Sequence, residues 1–397
     1  MKLLLATLLI SQSAFAIDAG DGSDGVCNIT GGAGTQITSA KKYYQCSSLN
    51  IDANLDDFKG SQAGAGGAAL VIKVQGNVTV VAGVTVDLSG DNGLAGNTTA
   101  GVKAGGVAGA GGFSGGAASG LNLDGVNGSG AGGGLKGLQV DQNLLFSYGG
   151  GGGGGSYKTQ GITLSVDGED VGGNGTSNGS GGAQGFVYGD EATFETSFTG
   201  GSGGAGGGGG QENGQSDISG SSGGGGGGAL HIIAGGNITV DGSIISRGGN
   251  GGGIAATQFA GGGGAGSGGA IWLQAGGNLI VSASGTITSL GGTQGTNDGG
   301  YDGGNGGDGR IRLDDGDGVI TMIGGSTVSP APYSTSFTPT PITSGTSAIN
   351  RQYASGVSCA SVALGDEEKP FNNLMNLILG LGIAGLAHYL VSKKSKV

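Results

Sequence analysis

The densest set of side chains able to do chemistry is Arg310, Arg312, Asp314, Asp315 and Asp317. Strand alternation puts Arg310 and Arg312 on one outward face, with carboxylates beside two guanidiniums. Such a set can move protons to and from a sugar oxygen. The same residues fit a solvated strand end whose ion pairs contribute little, and this second reading is the expected one. A Ser-His-Asp or Cys-His apparatus is close to excluded. The chain has two histidines, His231 and His388. His388 falls in an apolar C-terminal run, and His231 alternates with the inward-facing Leu230 and Ile232.

No cofactor is expected, although two stretches offer oxygen ligands of the kind calcium accepts. Asp18, Asp21 and Asp24 are spaced by three in DAGDGSDG, which also reads as a solvated acidic N-terminus. Residues 303–310, GGNGGDGR, match the glycine and aspartate positions of a calcium-binding nonapeptide, but Arg310 stands where an aliphatic residue belongs. Three cysteines and two histidines give no zinc spacing. Cys27 and Cys46 form the expected disulfide in an exported chain, leaving Cys359 over. Trp272, the only tryptophan, is expected on an outer face. Phe146, Tyr148, Tyr157 and Tyr188 sit in or beside glycine runs. These five rings are candidate ligand contacts, or anchors that order the surrounding loops.

The elements that must position these residues recur along the chain. Residues 227–253 read GGALHIIAGGNITVDGSIISRGGNGGG, and residues 268–295 read GGAIWLQAGGNLIVSASGTITSLGGTQG. An earlier copy spans 66–93, and a degraded one begins at Asp308. Their first aliphatic residues are Leu70, Leu230, Ile271 and Ile311. The later gaps are 41 and 40 residues, and the first is 160, close to four periods. Each copy holds three short β-branched runs separated by Gly-Gly or Asp-Gly, which predicts strands and tight turns. Leu230, Ile232 and Ala234 would face inward, as would Ile271, Leu273 and Ala275. Three strands per repeat, returning to one register, predict an all-β parallel β-helix (a β-solenoid), stacked so that no unit buries its inner face alone. An antiparallel sandwich of hairpins is the competing expectation.

In chain order, residues 1–16 read as a signal peptide with Ala14-Phe15-Ala16 at the cleavage site. Residues 17–60 form a cap segment, with Leu49 to Asp52 leading into the first coil. The solenoid is expected over 61–326, carrying long glycine-rich loops at 94–226. With 103 Gly, 5 Pro and no Gly-X-Y period, the chain is not collagen. Its glycine runs are either flexible coil or packed extended helices with three residues per turn. Residues 327–365 read as a Ser/Thr/Pro linker. Residues 366–397 read as a C-terminal membrane anchor or sorting tail, since 374–391 are apolar and followed by Lys393, Lys394 and Lys396.

A formal net charge of −12 and 11% charged residues argue against nucleic-acid binding by phosphate neutralisation. The steps GGNITVDGSI and GGNLIVSASGTI resemble repeats of filamentous-haemagglutinin-like and autotransporter adhesins. The glycine-rich part looks like Gly-rich surface proteins of predatory and gliding bacteria, and like phage tail-tip adhesins with packed polyglycine helices. The acidic lead, short apolar run and basic end resemble PEP-CTERM-type sorting tails. These resemblances imply a non-catalytic protein at a bacterial envelope, binding a glycan or a host or prey surface through its glycine-rich loops. A β-helix polysaccharide lyase or hydrolase, and an ice-binding face built on Thr79, Thr239, Thr286 and Thr288, are the alternatives. Self-association stays open.

Overall fold

The computed structural model describes residues 17–29, 35–37, 43–54, 68–97, 102–118, 120, 123–139, 149–157, 179–189, 194–195, 198–210, 218–254, 259–297, 301–316 and 318–333. The signal peptide, Phe146, Tyr148, Asp317, Cys359, His388, most of the linker and the C-terminal tail lie outside these residues. No helix among the described residues is long and apolar enough to cross a membrane.

The described chain is all-β, and its strands make three parallel sheets. The first contains, in spatial order, β15 (Thr321–Met322), β12 (Leu279–Val281), β9 (Ile238–Val240), β6 (Val78–Val80), β4 (Ser48–Ile51), β1 (Val26–Asn28) and β2 (Thr35–Gln36). The second runs β16 (Thr327–Ser329), β13 (Thr286–Thr288), β10 (Ser243–Ile245) and β7 (Thr85–Asp87). The third runs β14 (Arg310–Asp314), β11 (Ala270–Ala275), β8 (Ala229–Ala234), β5 (Leu70–Val74) and β3 (Tyr43–Cys46). Every pairing between these strands is parallel, so the hairpin sandwich fails. Leu70, Leu230, Ile271 and Ile311 occupy one register position, and Val86, Ile244, Ile287 and Val328 another. The inward residues of all three sheets meet in one buried aliphatic cluster.

Two expectations need correction. The gap of 160 residues contains no stacked repeats, because β5 pairs directly with β8, β6 with β9 and β7 with β10. The segment around Leu49 is more than a lead-in. It adds β3 to the third sheet and β4 to the first, with Tyr44 beside Ile72 and Leu49 beside Val78, while the second sheet ends at β7. Cys27 and Cys46, both fully buried, are joined by a disulfide within this first part of the stack.

Asparagine holds the turns in line. The backbone N–H of Asn237 donates to Asn77 Oδ1, and that of Asn278 to Asn237 Oδ1, each at 2.8 Å. This ladder satisfies turn N–H groups that would otherwise lack partners.

The glycine-rich chain does not form loops around the strands. It packs as extended segments joined by backbone hydrogen bonds, and residues 221–228 lie at the centre. The N–H groups of Ser221, Gly224 and Gly227 donate to Gly261, Gly264 and Ser267. Those of Ser222, Gly225 and Gly228 donate to Leu94, Asp91 and Leu88, and those of Gly223 and Gly226 to Gly116 and Phe113. The carbonyls of the same segment accept from Gly106 and Gly109, from Gly249 and Gly252, and from Gly201, Gly204 and Gly207. Every third residue addresses the same neighbour, and six neighbours surround the segment. A Cβ on Gly224 would stand 2.1 Å from the Gly249 carbonyl oxygen, and one on Gly263 2.0 Å from that of Ser222. Backbones at this spacing admit only glycine. Small side chains enter at a few places: Ala205 and Ala265 are fully buried, and Ser246 and Ser289 donate to the Gly228 and Gly269 carbonyls at 2.7 and 2.8 Å.

These segments start at strand ends. Leu88 follows β7, Ser246 follows β10 and Ser289 follows β13, whereas Gly228, Gly269 and Gly309 precede β8, β11 and β14. Nine residues at about 3.1 Å each carry the chain roughly 28 Å from the strands. Asn97, Gly210, Ile218, Gly149 and Phe259 lie together at the far end, as the bonds Ser219 to Asn97, Gly210 to Ile218 and Gly149 to Phe259 require.

Candidate functional site

The outward face of the third sheet carries the residues singled out for chemistry. Register aligns Tyr43, Val71, His231, Trp272 and Arg312 in one row, and Gln45, Lys73, Ile233, Gln274 and Asp314 in the next. Alternation alone sends these side chains away from the aliphatic cluster. Two segments then cover the face. Ile17 and Ala19 pack on Ile233, and Phe194, Glu195 and Phe198 of the glycine-rich region lie over Trp272 and the arginines.

This covering overturns the solvated strand end. All five residues of β14 are buried, Arg310 and Arg312 included. Arg312 Nε donates to Asp314 at 3.0 Å, and its Nη1 to Glu195 Oε1 at 2.9 Å. Asp314 also accepts from Trp272 Nε1 at 2.8 Å and from Gln274 Nε2 at 3.2 Å. Arg310 Nη2 donates to the Tyr157 hydroxyl at 2.8 Å, and the Arg310 guanidinium lies 4.5 Å from the Phe194 ring centroid. The cluster therefore latches the glycine-rich region to the strands by charge-assisted bonds and cation–π contacts. The Asp314 and Asp315 carboxylates of the cluster are enclosed by the protein.

The candidate ligand contacts divide in the same way. Trp272 is outward but 7% exposed, and Tyr157 is 1% exposed. Both are enclosed and act as anchors within the fold, while Trp272 also reaches the lining of a cleft on this face. Burial pushes the Tyr157 phenol pKa up, despite the opposing Arg310 charge. Tyr188 is half-buried, packs against Tyr157 with ring centroids 4.9 Å apart and planes tilted by 47°, and donates to the Gly200 carbonyl.

The calcium candidates are engaged elsewhere. Asp18 pairs with Lys73, Asp21 accepts from the Ser23 N–H, and Asp24 accepts from the Gln45 N–H. Asp308 accepts from Gly291 and Asn305 from Gln294. Among the described residues, no three His, Cys, Asp or Glu side chains gather as a metal site would require.

Between the two covering segments the face stays open, as a cleft of about 580 Å³. Tyr43, Val71, Lys73, His231, Glu195 and Phe198 line it. His231 stacks on Trp272 with ring centroids 4.0 Å apart and planes 3° from parallel. Its Nε2 lies 2.7 Å from Gln274 Oε1. Because Gln274 donates its amide to Asp314, that oxygen accepts, and His231 is the Nε2–H tautomer. Sequence reading missed Gln274, Glu195, Phe194 and Phe198. Gln274 was findable, two residues past Trp272 on the same face. The others are distant in sequence and are brought in by the glycine segments.

Burial, with smaller contributions from the Lys73 and Arg312 charges, lowers the His231 pKa to about 4, although the Gln274 bond opposes the shift. Unfolded, it titrates near 6.5. The neutral ring is the folded form, so its stabilisation is complete above about pH 6.5 and is lost as pH falls towards 4. Allowing for the half-buried ring, the loss is about 2 kcal/mol. Urea unfolding of the wild type and of His231→Phe at pH 7 and pH 4.5 measures it. The wild type is expected to weaken more than the variant over that interval, and equal pH slopes refute the assignment.

Comparison with family models, with curated proteins and with solved structures finds no match for this chain.

Proposed function

We propose that this chain is an exported structural and adhesive protein of a bacterial cell surface, with no reaction centre. On this reading the three parallel sheets close into a β-helix around the aliphatic cluster. The glycine-rich segments are a bundle of polyglycine helices with three residues per turn, projecting from its side. The observation that carries the proposal is that described residues flanking chain connections gather at the far end of the bundle. The described residues flanking five of them, 97 and 102, 139 and 149, 210 and 218, 254 and 259, and 297 and 301, all lie at that end. A rigid scaffold that presents variable connections on one face is a common basis for recognition. The targets it suits are a glycan or a host or prey surface.

The lyase or hydrolase alternative loses support because Asp314 is fully buried and already holds three donors. The ice-binding alternative has an aligned hydroxyl row in Thr85, Ser243, Thr286 and Thr327. However, Ile245 and Ile280 interrupt the neighbouring rows.

Protease shaving of intact cells tests the proposal. Peptides from residues 94–326 are expected in the released fraction. Their complete protection until the outer envelope is permeabilised would place the body inside and defeat the adhesive reading.

A further inference from the structure

We propose that the cleft on the third sheet binds a short, uncharged oligosaccharide, held between the Tyr43 and Phe198 rings and hydrogen-bonded to His231. The site is separate from the far end of the glycine bundle and does not depend on the adhesive role assigned there.

Size comes first. About 580 Å³ is within the range of small-molecule sites, roughly 300–1,000 Å³. The lining is mainly apolar and aromatic, with few polar groups. Tyr43 is 42% exposed, and although the Lys73 ammonium lies 5.5 Å from its ring centroid, the ring surface left open is available to the apolar face of a sugar. Phe198 packs against His231 and Trp272, with centroids at 5.6 and 5.9 Å, and faces the cleft from the side opposite the N-terminal segment.

Charge then narrows the ligand. The two charged residues of the lining already hold opposite partners, Lys73 on Asp18 and Glu195 on Arg312. No net charge is left to select an acidic or a basic ligand. Glu195 is 63% exposed, and its free lone pairs can accept from a hydroxyl at the rim.

The polar centre is preorganised. Asp314 fixes the Gln274 amide, Gln274 fixes the His231 tautomer, and the Trp272 stack fixes the ring plane. With Nε2 donating to Gln274, Nδ1 is an acceptor without a partner among the described residues. A neutral acceptor in an aromatic cleft suits a hydroxyl donor, and a sugar supplies several. An apolar ligand would leave that nitrogen unsatisfied.

The only tryptophan is a built-in reporter, since it stacks on His231 and lines the cleft. The mature chain would be titrated with cellotriose, maltotriose and chitotriose, with trigalacturonic acid as the charged comparison. A saturable change in Trp272 emission is expected with at least one neutral trisaccharide and none with the acidic one. Val71→Phe, which fills the cleft floor without removing a polar group, is expected to abolish the change. His231→Phe keeps a ring on Trp272 but loses the acceptor, and is expected to weaken binding about tenfold. Replacing residues 211–217 by a Gly-Ser linker is expected to leave it unchanged, which separates this site from the adhesive end. No saturable response to any neutral trisaccharide overturns the proposal. So does equal binding by Val71→Phe, or a preference for trigalacturonic acid.

Discussion

Gly224→Ala is expected to destabilise the protein by at least about 3 kcal/mol, at the upper end of what one added methyl costs in a packed interior. The new Cβ would sit 2.1 Å from the Gly249 carbonyl oxygen and 2.6 Å from its carbon. No side chain can rotate aside, because the obstacle is backbone. Gly249 cannot retreat either, since its own N–H donates to the Gly225 carbonyl. Relief therefore means separating two segments and breaking their shared hydrogen bonds. The gain from a stiffer unfolded chain, about 0.4–1 kcal/mol for Gly to Ala, offsets little of this. Gly324→Ala is the matched control. It has nothing within 4 Å of the added carbon, and its effect should stay within about 0.5 kcal/mol. Urea unfolding of the two variants beside the wild type measures the difference. Equal midpoints would mean that the segments are not held at backbone contact distance.

That comparison also shows what was legible in the sequence. The strands were legible because a period of two on a period of forty leaves a regular trace, and aligning Leu70, Leu230, Ile271 and Ile311 gives the observed pairing. The destination of the glycine runs was not. Gly224 and Gly324 are the same letter, yet one is enclosed by backbone and the other faces open space. Without side chains there is no amphipathic pattern to read, and the partner of each N–H is chosen by three-dimensional neighbours far away in sequence. The arithmetic near four periods across the 160-residue gap was misleading for that reason. Burial of Arg310 and Arg312 escaped prediction on the same grounds, since Tyr157, Phe194 and Glu195 reach them only after the glycine segments pack. The outward direction of His231 and Trp272 was readable from alternation. That something would cover them was not.

The covering has one dominant latch, and Asp314→Ala is expected to release it at a cost of about 3–5 kcal/mol, the range for removing one partner of a buried ion pair. The carboxylate is 0% exposed and receives Arg312 Nε, Trp272 Nε1 and Gln274 Nε2. Truncation takes an acceptor from all three donors and leaves Arg312 with Glu195, whose own side chain is 63% exposed. A half-solvated carboxylate at one end of the guanidinium does not replace an enclosed one at the other. Glu195→Ala, by contrast, removes only that exposed end and should cost about 1 kcal/mol or less. The order of the two losses is the informative part. If Glu195→Ala cost as much as Asp314→Ala, the enclosed carboxylate would not be the dominant partner of Arg312. Trp272 fluorescence supplies the second readout. Asp314→Ala frees the indole N–H and the Gln274 amide together, so the tautomer lock on His231 and the stack on Trp272 loosen in one step. A red-shifted emission at native conditions is expected for Asp314→Ala, and none for Glu195→Ala. A stability loss without that shift would place the damage in the strands, leaving the cleft and its polar relay intact.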